Sequence, residues 1–113
     1  PERIVSGVNG IDLSLANDLQ FLEPDLDKFR CLKLAYECLE NGGSYPIELN
    51  AINEIAVDAF LNKKISFIHI SQLIETALNK VQSVNVKSIE DVLEIDKHAR
   101  LEGESLLKGF RFA

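Results

Sequence analysis

The chain has 113 residues and a net charge of −6, with 46 % apolar and 27 % charged side chains, which are the proportions of one folded globular domain and exclude a disordered or fibrous chain. An acidic chain with no basic stripe is a poor match for the phosphates of nucleic acid. No apolar run approaches the roughly 20 residues of a membrane span, and the first ten residues lack the basic start and apolar core of a signal peptide.

The chain begins at Pro1 and contains no methionine, which raises the expectation of a piece of a longer polypeptide without proving it, because an initiator methionine is often trimmed before proline. Residues 1–27 are expected to form a linker and extended arm, because Gly7, Asn9, Gly10 and Asn17 interrupt every helical period. Leu13, Leu15, Leu19, Phe21 and Leu22 are the apolar residues of that arm, and Leu19-Gln20-Phe21 alternates as a short strand does. A lone strand leaves its backbone groups unpaired, so its partner is expected outside this chain.

Pro24-Asp25-Leu26-Asp27 is a turn that offers Asp25 or Asp27 as a cap. The first helix is expected from about Phe29 to Asn41, with Leu32, Ala35, Tyr36 and Leu39 on one stripe and a stop at Gly42-Gly43. Cys31 and Cys38 are two helical turns apart, roughly 10 Å, too far for a disulfide. Both are read as reduced packing residues, which fits a cytoplasm-like compartment.

The second helix is expected over 46–62, opened by Pro46 and striped by Leu49, Ile52, Ile55, Ala56, Ala59 and Phe60. Asn50, Asn53 and Glu54 are spaced i, i+3 and i+4, which projects three hydrogen-bonding side chains from one face. They are candidates for a structural or interdomain tie, either to backbone groups at helix ends and in the arm or to another domain. Glu48, Glu54 and Asp58 are the alternative reading of the same helix, as carboxylates for a divalent cation or for acid-base work. No second element supplies a convincing further set of ligands. Lys63-Lys64, at the end of this helix, complements its negative C-terminal dipole.

Ile70, Leu73, Ile74, Ala77, Leu78 and Val81 mark the third helix, the cleanest amphipathic pattern in the chain. Ser88-Ile89-Glu90-Asp91 starts the fourth with Ser88 as N-cap and acidic residues in the first turn, and Val92, Ala99, Gly103, Leu106 and Phe110 continue it. Asp96 and Arg100, four apart, form an expected ion pair. The fold class is therefore all-α, a four-helix bundle over 28–113 preceded by the arm.

Catalytic patterns are missing from this reading. His69 and His98 have no partner at a metal-ligand spacing, neither Ser44 nor Ser66 sits on a nucleophile turn with a base, and Gly7-x-x-Gly10 and Gly42-Gly43 fall short of a phosphate loop. A free-standing helical adaptor that binds a partner helix or peptide in a groove is the rival class of function.

Several motifs nonetheless occur in a distinctive order. They are Pro24-Asp25, Phe29-x-Cys31-Leu32-x-Leu34-Ala35, Gly42-Gly43, Pro46 and Leu49-Asn50-Ala51-Ile52-Asn53-Glu54-x-Ala56-Val57-x-Ala59-Phe60-Leu61. Ile65-x-Phe67-x-x-Ile70, Ile74-Glu75, Ser88-Ile89-Glu90-Asp91-Val92-Leu93 and Asp96-x-x-Ala99-Arg100 complete the series. In this order they resemble the C-terminal part of the 1-deoxy-D-xylulose 5-phosphate reductoisomerases, over nearly the whole chain. Arg30 and Ile52 depart from the family, which often has Pro and Ala there.

The resemblance implies a parent enzyme that uses NADPH and a divalent cation, Mg²⁺ or Mn²⁺, to form 2-C-methyl-D-erythritol 4-phosphate in non-mevalonate isoprenoid synthesis. It implies that the NADPH-binding and catalytic domains precede this one, that the present chain binds no cofactor and catalyses nothing alone, and that the bundle braces the catalytic domain. A homodimeric, cytoplasmic, bacterial-type parent follows from the same resemblance. Pro1 resembles a linker proline beside the substrate pocket, which makes it a candidate for the pocket wall.

Overall fold

A computed structural model describes residues 7–12, 14 and 20–110. Pro1 and Leu19 lie outside the described residues, and Gln20 and Phe21 are irregular rather than strand. Among the described residues the regular elements are all helical: α1 (Arg30–Asn41), α2 (Tyr45–Leu61), α3 (Phe67–Leu78), α4 (Ile89–Leu107) and a terminal 3₁₀ turn, Lys108–Phe110. The all-α expectation holds, with the four helices within a few residues of their expected positions.

Each boundary has a local cause. Asp25 accepts hydrogen bonds from the Asp27 and Lys28 amides at 3.1 and 2.9 Å, so it shapes the turn before α1, and Phe29 is the capping position with no side-chain cap. Helix α2 closes with the Lys64 amide on the Ala59 carbonyl and the Lys63 amide on that of Phe60, with Lys63 in the left-handed region at φ 57. This is the Schellman arrangement, which satisfies carbonyls that the helix end would otherwise leave open. Ser88 accepts from the Asp91 amide at 3.1 Å while Asp91 accepts from the Ser88 amide, so the expected N-cap is present and forms part of a capping box at α4. A second box at α3 escapes the sequence reading: His69 Nδ1 accepts from the Ser66 amide at 3.3 Å, and its ring meets Phe110 edge-on. Serine followed three residues later by a side chain with an acceptor was the available signal.

The core is drawn mainly from α2 and α3, with Ala51, Ile52, Ala56 and Ala59 from the first and Ile70, Leu73, Ile74, Ala77 and Leu78 from the second. Helix α4 packs most extensively on α2 and brings buried small residues, Ala99 and Gly103, to the contact. A Cβ on Gly103 would sit 3.6 Å from Ile55, so the two helices already approach to ordinary van der Waals distance there. Burying such side chains contributes about 1.5–3 kcal/mol for each large aliphatic group.

Helix α1 corrects the sequence reading. The expected stripe faces outward: Leu32, Tyr36 and Leu39 are 39, 52 and 72 % exposed, while Leu34 and Cys38 enter the core at 4 % each. Cys38 is thus the packing thiol, and Cys31 is exposed. Two apolar stripes compete on this helix, and a cross-helix ion pair accompanies the orientation adopted, in which the Arg30 guanidinium reaches Glu75 of α3. That pair holds Glu75 below the ordinary carboxylate range, chiefly through the hydrogen bond from Arg30. The described residues of the arm, 7–12, 14 and 20–27, are all exposed.

Candidate functional site

The polar residues of α2 form the first candidate. Asn50 donates to Glu54 at 3.4 Å, and Glu54 accepts from Arg100 of α4 at 2.6 Å. Arg100 also donates to Asp96 through Nε at 2.7 Å and Nη2 at 3.2 Å, so the expected Asp96–Arg100 pair is present and is bidentate. The guanidinium therefore joins two helices, and its pKa is pushed further up, first by Asp96 and then by Glu54. Asn53 is half-buried on the same helix, while Asn50 and Glu54 are exposed.

Solvent screens such a surface network. Replacing Arg100 by Ala is expected to cost about 1 kcal/mol, and the loss should shrink as salt is raised. Melting curves at low and high ionic strength check this; a salt-independent loss would mean that lost packing of the arginine stem dominates.

The carboxylates proposed as metal ligands are not brought together. Glu54 is engaged by Arg100, and Asp58 accepts from the Asn62 amide group. Glu48 turns to a separate cleft of about 490 Å³ whose walls include Ile52, Ala77 and Ala99, with His98, Glu94 and Glu102 also lining it. Among the described residues no group of three His, Cys, Asp or Glu side chains could hold a metal ion. Glu48, Glu54 and Asp58 therefore do not form one cation site.

Glu48 carries an electrostatic consequence of its position. Burial pushes its carboxyl above the ordinary range, against smaller opposing effects from a hydrogen bond with Ser44 and from His98. A folded-state value above the unfolded one means that the neutral form is favoured in the fold. Its contribution is then fully present below the unfolded value of 4.5 and is lost as pH rises through the folded value. Glu48→Gln is expected to raise the melting temperature at neutral pH and to lose that advantage in acid. An equal shift at both pH values would show that the substitution acts through packing.

Ser44 is fully buried and links two distant parts of the chain, because its Oγ accepts from the Val84 amide at 3.1 Å. Ser83 adds a 3.4 Å bond from its hydroxyl to the Gly42 carbonyl. The α1–α2 turn is thereby fastened to the α3–α4 connection. Nothing in the local sequence signals this contact, which spans 40 residues. His98 lines the Glu48 cleft, and His69 caps α3; the two histidines serve separate places.

The chain matches the family model for the DXP reductoisomerase C-terminal domain over residues 1–102. It is 46 % identical over 107 residues to 1-deoxy-D-xylulose 5-phosphate reductoisomerase of Psychromonas ingrahamii, covering 95 % of this chain and 27 % of that protein. The enzyme of the same name from Stutzerimonas stutzeri is 49 % identical over 100 residues, 88 % of this chain and 25 % of that protein. Among solved structures, the reductoisomerase of Zymomonas mobilis in complex with NADPH superposes with a TM-score of 0.86 at 37 % identity, over 96 % of this chain and 29 % of that one. A DOX-P reductoisomerase in complex with magnesium gives 0.84 at 39 % identity, over 99 % and 30 %. The chain thus spans between 25 and 30 % of the length of these relatives.

Proposed function

The chain belongs to the DXP reductoisomerase C-terminal domain family, and from that premise we propose that it is the supporting helical domain of a 1-deoxy-D-xylulose 5-phosphate reductoisomerase. In this reading the parent enzyme converts its substrate to 2-C-methyl-D-erythritol 4-phosphate with NADPH and Mg²⁺ or Mn²⁺, as a cytoplasmic homodimer. NADPH-binding and catalytic domains of the same polypeptide supply the chemistry. Residues 1–27 serve as linker and arm, and residues 28–113 as the bundle that braces the catalytic domain. Asn50, Asn53 and Glu54 are the polar tie on α2, and Pro1 stands at the edge of the substrate pocket.

One observation carries the proposal: a match over residues 1–102 to this domain. A rigid element that positions other groups without touching the reacting atoms still matters, because misplacement by about 1 Å can cost a hundredfold in rate. The isolated 113-residue chain, supplied with NADPH, Mn²⁺ and substrate, is expected to show no NADPH oxidation. The full-length parent is expected to turn over under the same conditions. Turnover by the isolated chain, or an inactive parent, would overturn the proposal.

A further inference from the structure

The outward stripe of α1 continues onto α3. Phe29, Leu32, Tyr36 and Leu39 lie along one side of α1, and Phe67 and Ile68, 72 and 68 % exposed, open the first turn of α3. Between the two helices runs a groove of about 410 Å³ with Phe29, Cys31, Leu32, Phe67 and Ile68 among its lining residues. A contiguous run of large apolar side chains is what an isolated soluble surface avoids and an interface uses. Asp27, Lys28 and Arg30 also line it, so apolar and charged groups meet there as they do in a docking patch.

Two observations indicate the occupant. The chain accounts for 25–30 % of the length of its relatives, so in the proposed parent a polypeptide several times its size stands beside it. The groove lining begins at Asp27, and the segment before it carries Phe21 and Leu22, 88 and 85 % exposed, so the preceding chain reaches the bundle beside the groove. We infer that the α1–α3 face is the seat of an apolar segment from the preceding part of the same polypeptide, packed in cis with its side chains in the Phe29–Phe67 groove. This rests on the proposed parent and names the surface by which the bundle contacts it. The α2 polar network is a different surface, formed with α4.

Cys31 is a built-in probe, because it lines the groove and is exposed in the present chain. In the native full-length parent, maleimide labelling followed by peptide mapping is expected to find Cys31 slowed on the order of 100-fold relative to the denatured parent. Crosslinks anchored on Cys31 are expected to reach peptides upstream of Pro1. In a parent reassembled from isotopically light and heavy chains, those crosslinks should join peptides of the same isotope. Labelling of Cys31 at the denatured rate would overturn the inference, as would crosslinks joining light to heavy chains, which would seat a second copy on the face. NADPH oxidation by the same preparation separates the two readings: an active parent with a freely reactive Cys31 loses the docking face and keeps the proposed function.

Discussion

Replacing Leu73 by Ala is expected to destabilise the bundle by about 2–5 kcal/mol, the range for emptying a well-packed aliphatic site. Leu73 is 0 % exposed, beside Ile74 at 1 % and Ala77 at 0 %, and helix α3 is held between α2, α4 and α1. Neighbours fixed on three sides cannot collapse into the vacated space, which places the loss toward the upper half of that range. A small domain has only about 5–15 kcal/mol of net stability to lose. Thermal or urea unfolding of the isolated chain measures the effect directly. In the parent, the same substitution should lower the temperature at which activity is lost while leaving KM for NADPH unchanged at low temperature. A loss under 1 kcal/mol would mean that Leu73 is not packed as described.

Gly43→Ala is expected to cost about 2–4 kcal/mol, because backbone strain and collision coincide at one residue. Gly43 has φ +58, and a Cβ built there would lie 2.2 Å from Ser83 Oγ and 2.9 Å from the Val84 carbonyl oxygen. The serine hydroxyl can rotate away. The carbonyl belongs to backbone that the buried Ser44 hydroxyl holds through the Val84 amide, so moving it strains or breaks that bond. Gly42 isolates backbone strain: it lies at φ 64 and ψ −151, a region essentially reserved for glycine, and nothing lies within 4 Å of its Cβ position. Gly42→Ala should therefore carry only the conformational part of the cost. A Gly43→Ala loss under about 1 kcal/mol would mean that the contact with the α3–α4 connection contributes nothing.

These two sites also show how unevenly the sequence reveals the fold. Leu73 lies in the clearest period of the chain, and its burial is predictable because Ile70, Ile74, Ala77 and Leu78 define a single apolar face. Gly43 reads as a helix stop, which is correct, but its packing against Val84 depends on residues far along the chain. The same division separates the candidate sites. Asp96 and Arg100 are neighbours by helical geometry and were predictable, whereas Glu54 meets Arg100 across 46 positions. The carboxylates of α2 looked like one cluster in the sequence. In the fold an arginine engages one, an asparagine bonds another, and Glu48 turns into a cleft.

Helix number, most helix limits, the all-α class and the family resemblance are written in the sequence itself. The helices and their class follow from apolar spacing, proline and glycine placement and capping residues, which act within a few turns of one helix, whereas the resemblance rests on the order of the motifs. Only the tertiary structure decided which side of α1 enters the core. That helix carries two apolar stripes, and its orientation places Leu34 and Cys38 inside and Arg30 on Glu75. The choice depends on the shape and charge that α2 and α3 present to it, which periodicity along a single helix does not encode, and it leaves Leu32, Tyr36 and Leu39 facing outward.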